Sequence, residues 1–594
     1  MNLKNAQNVE SAQKSDAKFP SDRVLKGDRK TQSGIDVKEV YGPEDISELD
    51  FKKDIGISGN FPFKRGSYKK MYRDRLWTSG NPLLGSGTPY QEEKGSTSED
   101  YIKEMLRLGI VCSSVRTGGD YHNLATIDPD HPLVKYDIGN CAGTYFSVWQ
   151  MFHGRKKHYP IILEQSCKKG MVFEFGQQVG PADVCEYTMN IAGIELLGMH
   201  EKDFRGNMVN DPLTSHINQC MHYKQPLEVG FRVSVDAQEY AYKNTPKFRP
   251  TNGGCAYDLR EGGINTFQEL AFRFGNYIEY CDELVRRGMN FQDFGNRPAM
   301  AYSGEIDFFE TICKLRASRS IWAKIASDRY GADLTKMKCP PVGVNCAGDS
   351  MTQRQPILNV VRQTLEATAS ILGGVNGIEM KAYTEGISPP TTEGWIINRG
   401  IEKIIAEEAN VPLVIDPLGG SYYVEWLTSH IEKKSMELLQ KIIDMGGMIA
   451  CIKDGWVQKD VERAAQERAR ELEEGRKIRV SENAYQELNE YSIPLPKFDF
   501  ERTQPGEGYT KKQERDWDEL QAFHDSRDVT KVAPALKELY QVTKAKKNVV
   551  RKMIEAFKKF ATIGEVMGVV REGMGFPYDQ FEMVSRPEWL KYDN

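Results

Sequence analysis

Four sets of residues in this chain have the types and spacing that chemistry uses. The stretch PLVIDPLGGSYYVE (412–425) sets Asp416 between a short apolar run and a Gly-Gly turn that leads into a helical pattern. A carboxylate at the C-terminal end of a buried strand is where an α/β fold places reactive groups. An Asx-type hydrogen bond that only holds the loop explains Asp416 equally simply, and the pattern alone favours it. The basic run Lys64, Arg65, Lys69, Lys70, Arg73 and Arg75 offers charge-assisted hydrogen bonds to a phosphate, although a charge run usually means a solvated face. Glu261 in DLREGG and Glu385 in YTEG each lie just beyond a predicted strand, where a carboxylate accepts from a ligand or pairs with an arginine such as Arg260. The eleven cysteines are scattered, with no C-x-x-C pair and no His/Cys cluster. They read as buried thiols of a reducing cytoplasm, not as a disulfide framework or a metal site. Walker and dinucleotide glycine fingerprints are missing.

These residues need elements to position them. From residue 60 the chain alternates strand-like and helix-like segments. Candidate strands are 110–115, 159–165, 205–210, 247–252, 297–302, 341–346, 377–382 and 412–415, and amphipathic helices such as 267–287, 307–330 and 360–372 lie between them. Eight strands with helices over roughly 360 residues predict an α/β chain whose residues 60–425 form a (β/α)8 TIM barrel. Residues 1–59 are polar with little periodicity and read as an arm, disordered or laid over a partner. Beyond 425 the pattern turns helical (426–444, 458–474, 532–560), divided by a Pro-rich connector at 492–505. The expectation for 426–594 is a helical linker and packing extension without catalytic residues.

At 594 residues the chain exceeds one ordinary core, and 40% hydrophobic with 27% charged residues describes a globular protein. A net charge of −5 leaves no electrostatic footprint for nucleic acid or an acidic membrane. No apolar run is long enough to span a bilayer, and residues 1–26 lack the apolar core of a signal peptide.

Several collinear motifs resemble the methylmalonyl-CoA mutase family. They are FPFKRGSYKKMYRDRLWTSG (61–80), DHPLVKYDIG (130–139), DLREGG (258–263), DFFETICKLRASRSIWAK (307–324), DPLGGSYYVE (416–425), DMGGMIACIKDG (444–455) and ATIGEVMGVVREGMG (561–575). The resemblance implies a barrel threaded by acyl-CoA, with adenosylcobalamin over its C-terminal face. The family's D-x-H-x-x-G cobalt-ligand signature is missing; His524 in AFHDSRD lacks the glycine. A separate small cobalamin-binding subunit is therefore implied, with a second large subunit in a heterotetramer and a G-protein chaperone as a further partner. The implied reaction is a radical 1,2-migration of a thioester carbonyl, in which the cofactor performs the hard step.

Residue by residue, the resemblance carries CoA contact to Arg75, Thr78 and Arg297, and hydrogen bonding of the nucleoside to Glu261 and Glu385. The departures concern the acyl group. Gln219 stands where methylmalonyl-CoA mutases clamp the substrate carboxylate with Arg, and Leu83 or Pro82 stands in place of their Tyr. An amide and an aliphatic group do not replace a bidentate guanidinium and a phenol. The glutamine resembles isobutyryl-CoA mutase and the aliphatic residue 2-hydroxyisobutyryl-CoA mutase, so a branched or bulky acyl group without a carboxylate is expected. Asp258 aligns with the family His that polarises the thioester carbonyl. It donates a hydrogen bond only when protonated; Tyr257 is the alternative donor, and a buttress for Arg260 is the remaining role. On the cofactor side, Lys381 replaces an Asn, Asn345 a Gln and Asp349 a Trp. Arg116 stands where the family has a small residue. It admits a substituted-malonyl substrate, or pairs with Asp120 or a CoA phosphate. Loss of the His also admits a scaffold that kept the barrel without the chemistry.

Overall fold

In the segment VGVNC, Val342, Val344 and Cys346 are buried among helices while Gly343 and Asn345 turn the other way. That two-residue alternation is what makes a strand with one face on a core. The computed structural model describes residues 30–79, 112–114, 147–153, 159–169, 172–175, 181–209, 211–217, 225–251, 256–387, 392–490 and 518–592. Eight strands occur there: β1 (Thr78–Ser79), β2 (Cys112–Ser114), β3 (Val172–Phe175), β4 (Gly206–Val209), β5 (Phe248–Thr251), β6 (Met300–Gly304), β7 (Val342–Cys346) and β8 (Gly377–Glu379). All pair in parallel, in two four-stranded sheets ordered β1-β8-β7-β6 and β2-β3-β4-β5.

Read in a ring, this is the strand order of the expected eight-stranded barrel, parted between β1 and β2 and between β5 and β6. Among the described residues no ladder closes either seam, so what is seen is two half-sheets. The β5/β6 seam is spanned by other means. Ala256 N–H donates to the Ala301 carbonyl (3.3 Å), and Arg297 donates to the carbonyls of Phe248 (2.5 Å) and Thr245 (3.1 Å). The edge of β6 is occupied by side chains: Ser303 N–H donates to Glu269 (2.9 Å), and the Lys314 ammonium donates to Ser303 O (2.8 Å).

Six of the eight expected strands stand, the first within 112–114. Two do not. Residues Tyr159–Glu164 form a helix, with Pro160 in the first turn where its missing N–H costs nothing, and the strand is Val172–Phe175 instead. The run 412–415 is no strand: Val411–Leu413 is a 3-10 turn, and Leu413 and Val414 are exposed. The eighth place belongs to Thr78–Ser79, only two residues long and without a periodic signature.

The helices behind β6 to β8 are Thr266–Arg286, Phe308–Lys324, Leu358–Leu372 and Tyr422–Asp444. Asn265 and Asp307 cap the first two by accepting from Gln268 N–H and Glu310 N–H. The second core joins Pro181–Leu196 and Leu227–Asn244 to Val529–Lys544, Val550–Lys558 and Ile563–Gly573. Within the arm, residues 30–35 lie on their own chain: Gln32 N–H donates to Asp307 (2.7 Å), Ser33 N–H to Glu310 (3.0 Å), and Ile35 is buried. Among the described residues no helix is long and apolar enough to cross a membrane, and Cys167, Cys185, Cys281, Cys313, Cys339, Cys346 and Cys451 are free thiols.

Candidate active site

Strand register fixes what lines the inner face of the first half-sheet. Thr78, Gly377, Gly343 and Ala301 are register partners across β1, β8, β7 and β6. A barrel interior is ordinarily filled by bulky branched side chains at such a layer; here all four are small. Among the described residues, a Cβ added to Gly343 would meet nothing within 4 Å. The next layer is polar: Ser303, Asn345 and Glu379 are register partners. On β4 and β5, Asn207 pairs in register with Arg249, while Met208 and Phe248 are buried on the opposite face.

At the N-terminal end of the strands three arginines come within electrostatic reach of one another. Burial lowers the pKa of Arg249, and the guanidinium charges of Arg297 and Arg75 lower it further. Arg249 nonetheless meets solvent. Arg297 stacks on Tyr242 (5.0 Å) and Arg75 on Tyr68 (4.9 Å). Like charges gathered in this way suit an anionic ligand.

The C-terminal end carries carboxylates instead. The short helix Tyr257–Glu261 follows β5 and brings Glu261 to the loop after β7, where it accepts from Asp349 N–H (2.8 Å) and Gly348 N–H (3.3 Å). A Cβ on Gly348 would come within 3.1 Å of the Glu261 carboxylate and 3.4 Å of the Tyr257 hydroxyl, so both groups converge on a spot that a larger side chain would crowd. Glu261, Glu305 and Asp349 offer oxygens within 4.8 Å of one another. That is a cation-ready donor set, but guanidiniums already compensate it: Arg260 lies 3.4 Å from Glu305, Arg468 bonds Asp349, and Arg479 lies 3.9 Å from Asp349. The cluster is an ion-pair network. Burial, with Asp349 and Glu305 nearby, pushes Glu261 up to about 8. Burial also acts on Glu305, but Arg260, then Arg468 and Lys314, outweigh it and bring it down to about 2.

Lys381, just past β8, is buried with its ammonium 3.5 Å from Glu379 and 4.9 Å above the Tyr257 ring. The phenol of Tyr257 is driven far above its ordinary pKa by burial, then by Glu261, Asp258, Glu379 and Glu385, and so keeps its proton.

The structure thus brings Tyr257, Asp258, Glu261, Glu385 and Lys381 together at one end, with Asn345 one layer inside. Thr78 lies in the small layer, and Arg75 and Arg297 at the other end. Leu83, Arg116 and Gln219 lie outside the described residues. Asp416 holds structure, as the pattern favoured, though through other partners: it accepts from Arg65 (2.8 Å) and Arg316 (2.5 Å), while Arg316 also holds Glu425 (2.6 Å). Two readings change. Lys64 is buried against Glu432 (2.9 Å), which with Arg65 removes two cations from the proposed phosphate run. The helical extension, expected to pack only, sends Arg468 from helix Trp456–Glu473 and Arg479 into the mouth. Arg249, Glu305 and Glu379 went unnoticed in the sequence; strand alternation within 247–252 and 377–382 was the available signal for Arg249 and Glu379.

A family model described as methylmalonyl-CoA mutase matches residues 30–576. The 2-hydroxyisobutanoyl-CoA mutase large subunit of Aquincola tertiaricarbonis is 30% identical over 532 residues, 89% of each chain. Methylmalonyl-CoA mutase of Rhizobium meliloti is 28% identical over 553 residues, 92% of this chain and 72% of the relative. The probable mitochondrial methylmalonyl-CoA mutase of Caenorhabditis elegans is 28% identical over 539 residues, 90% of this chain and 68% of the relative.

Proposed function

The chain belongs to the methylmalonyl-CoA mutase family, and on that premise we propose that it is the acyl-CoA-binding subunit of an adenosylcobalamin-dependent carbon-skeleton mutase acting on a branched or bulky acyl group. The family's members are acyl-CoA mutases, that is, isomerases. The observation that carries the reading is the small inner layer Thr78–Gly377–Gly343–Ala301. It leads from three arginines able to meet CoA phosphates to a mouth of hydrogen-bonding groups. A passage through a barrel needs that gap; a structural barrel would close it with Leu or Val.

Within this reading Arg75, Arg249 and Arg297 hold the phosphates and Thr78 borders the pantetheine arm. Tyr257, protonated and convergent with Glu261 on Gly348, donates to the thioester carbonyl. Asp258 adjoins it. Carboxylates accept from hydroxyls, so Glu261 and Glu385, both at the mouth, fit the ribose of the cofactor's nucleoside. When bound, adenosylcobalamin supplies the hydrogen-abstracting radical by homolysis of its cobalt–carbon bond. The chain's own residues orient the thioester, hold its carbonyl by a hydrogen bond and exclude water. The relative named as a large subunit supports a small cobalamin-binding partner.

The direct test is Gly343→Leu, with binding of CoA thioesters followed by calorimetry. A side chain in the open layer is expected to weaken acyl-CoA binding at least a hundredfold with the melting temperature little changed. Undiminished binding would place the ligand elsewhere.

A further inference from the structure

We infer that the cleft between the N-terminal arm, the loops after β5 and β6 and the helical extension is a second ligand site, built for a small molecule that carries a diphosphate on an apolar ring, of the nucleoside diphosphate type. It adjoins the mouth and does not depend on the acyl-CoA reading. The cavity measures about 560 Å³, within the range of small-molecule sites, roughly 300–1,000 Å³. Its walls come from within residues 30–34, 263–265, 306–307 and 463–480, with Ser350 and Arg362. Two glycines shape it. Gly34 turns the arm at φ +77°, and Gly263, at φ +104°, lets its loop approach the helix Trp456–Glu473 so nearly that an added Cβ would lie 2.8 Å from the Ala465 Cα.

Arg362, Lys477 and Arg479 supply the charge. Arg362 donates to Thr352 Oγ1 (3.1 Å), Asn359 Oδ1 (2.8 Å) and the Val480 carbonyl (3.0 Å), all of them neutral. Lys477 donates to the carbonyls of Thr31 and Lys30. Among the described residues neither cation forms an ion pair. Arg479 lies 3.9 Å from Asp349, which Arg468 already bonds. Burial lowers the pKa of Arg362 and the Arg479 guanidinium lowers it further, so the two charges act on one another. The carboxylates of the same wall have partners of their own. Glu467 and Glu471 pair with Arg476 (3.0 and 3.3 Å), and Asp307 accepts from the N–H groups of Gln32 (2.7 Å) and Glu310 (3.2 Å). Two guanidinium forks and an ammonium on one cavity suit adjoining phosphoryl groups. Much of the remaining lining is apolar: Ile264, Ile306, Leu472, Ile478 and Val480, of which Ile306 is 38% exposed. A ring laid in the cleft covers Ile306 while its phosphates reach the arginines.

The full-length chain is titrated calorimetrically with ADP, adenosine and inorganic pyrophosphate. ADP is expected to bind about tenfold tighter than either of its parts. Arg479→Gln and Ile306→Glu are each expected to weaken ADP binding about tenfold, and Arg479→Lys by less than Arg479→Gln. Both side chains meet solvent, so melting temperatures are expected to change little. CoA also carries phosphates, so Arg297→Gln and Gly343→Leu locate the site: both variants are expected to bind ADP as the wild type does. Adenosine or pyrophosphate that binds as tightly as ADP overturns the inference. So does ADP binding that survives Arg479→Gln or Ile306→Glu, that falls in Arg297→Gln or Gly343→Leu, or that is missing from the wild type. Each of these outcomes leaves the acyl-CoA reading to its own test with CoA thioesters.

Discussion

Behind β6, β7 and β8 buried ion pairs join an apolar core in tying down the helices; behind β3, β4 and β5 rings and aliphatic side chains predominate, beside pairs such as Arg527–Glu565. In the first region Lys314 and Glu269 pair at 2.6 Å with neither side chain exposed, Arg316 bridges Asp416 and Glu425, and Lys64 meets Glu432 at 2.9 Å. In the second, Phe248 packs between Tyr187 (4.7 Å) and Phe204 (4.9 Å), over a core continued by Leu536, Leu539, Val566 and Val570. Buried ion pairs are a poor source of net stability, because desolvation consumes most of their attraction, yet their geometry admits few alternatives. They stand behind the half-sheet whose inner face carries Asn345, Glu379 and Lys381. The difference teaches that charge here sets position, and apolar packing supplies adhesion.

The strongest way to break that comparison is Lys314→Met. It strands Glu269 as an unpaired buried carboxylate, already pushed up by burial, and is expected to cost about 3–5 kcal/mol in denaturant unfolding. Combining it with Glu269→Leu should return most of the loss. A double variant as unstable as the single would show that the pair adheres rather than positions. On the apolar side, Leu539→Ala should cost about 2–4 kcal/mol by leaving a cavity, with no charge partner whose removal rescues it. Next comes Arg468→Met. Its pairing with Asp349 is partly exposed, so a loss of only about 1 kcal/mol is expected, seen as a small drop in melting temperature.

The last expected effect is a slope. Glu261 holds its proton up to about 8 in the folded chain and releases it at ordinary carboxylate pH when unfolded. The native state therefore binds the extra proton between these values, and stability falls as pH rises from about 5 to 8. Glu261→Gln should flatten that part of the melting-temperature profile. An unchanged slope would remove Glu261 from the network's titration.

Legibility followed the length of each signal. Thr266–Arg286 and Tyr422–Asp444 were readable because many turns repeat an apolar stripe, and β4, β5 and β7 because alternation survives in four or five residues. Thr78–Ser79 offers no period to count, and VPLVI mimics a buried strand although its Leu413 and Val414 lie exposed. At the site, residues adjacent to strand ends were anticipated. Arg468 was not, because its role depends on a helix folding back from far along the chain, and local pattern carries no record of such a contact. The long-range ion pairs of Arg65 and Lys64 were hidden for the same reason, and the basic run looked solvated as a whole.

Arg468 and Arg479 also impose a schedule. A ribosome releases the chain from its N-terminus, so Glu261, Glu305 and Asp349 emerge well before the two arginines that offset them. Until those arrive, Arg260, Lys314 and Lys381 are left to balance three crowded acids. The mouth thereby gains its full set of ion pairs only when the helical extension has been synthesised and has folded back.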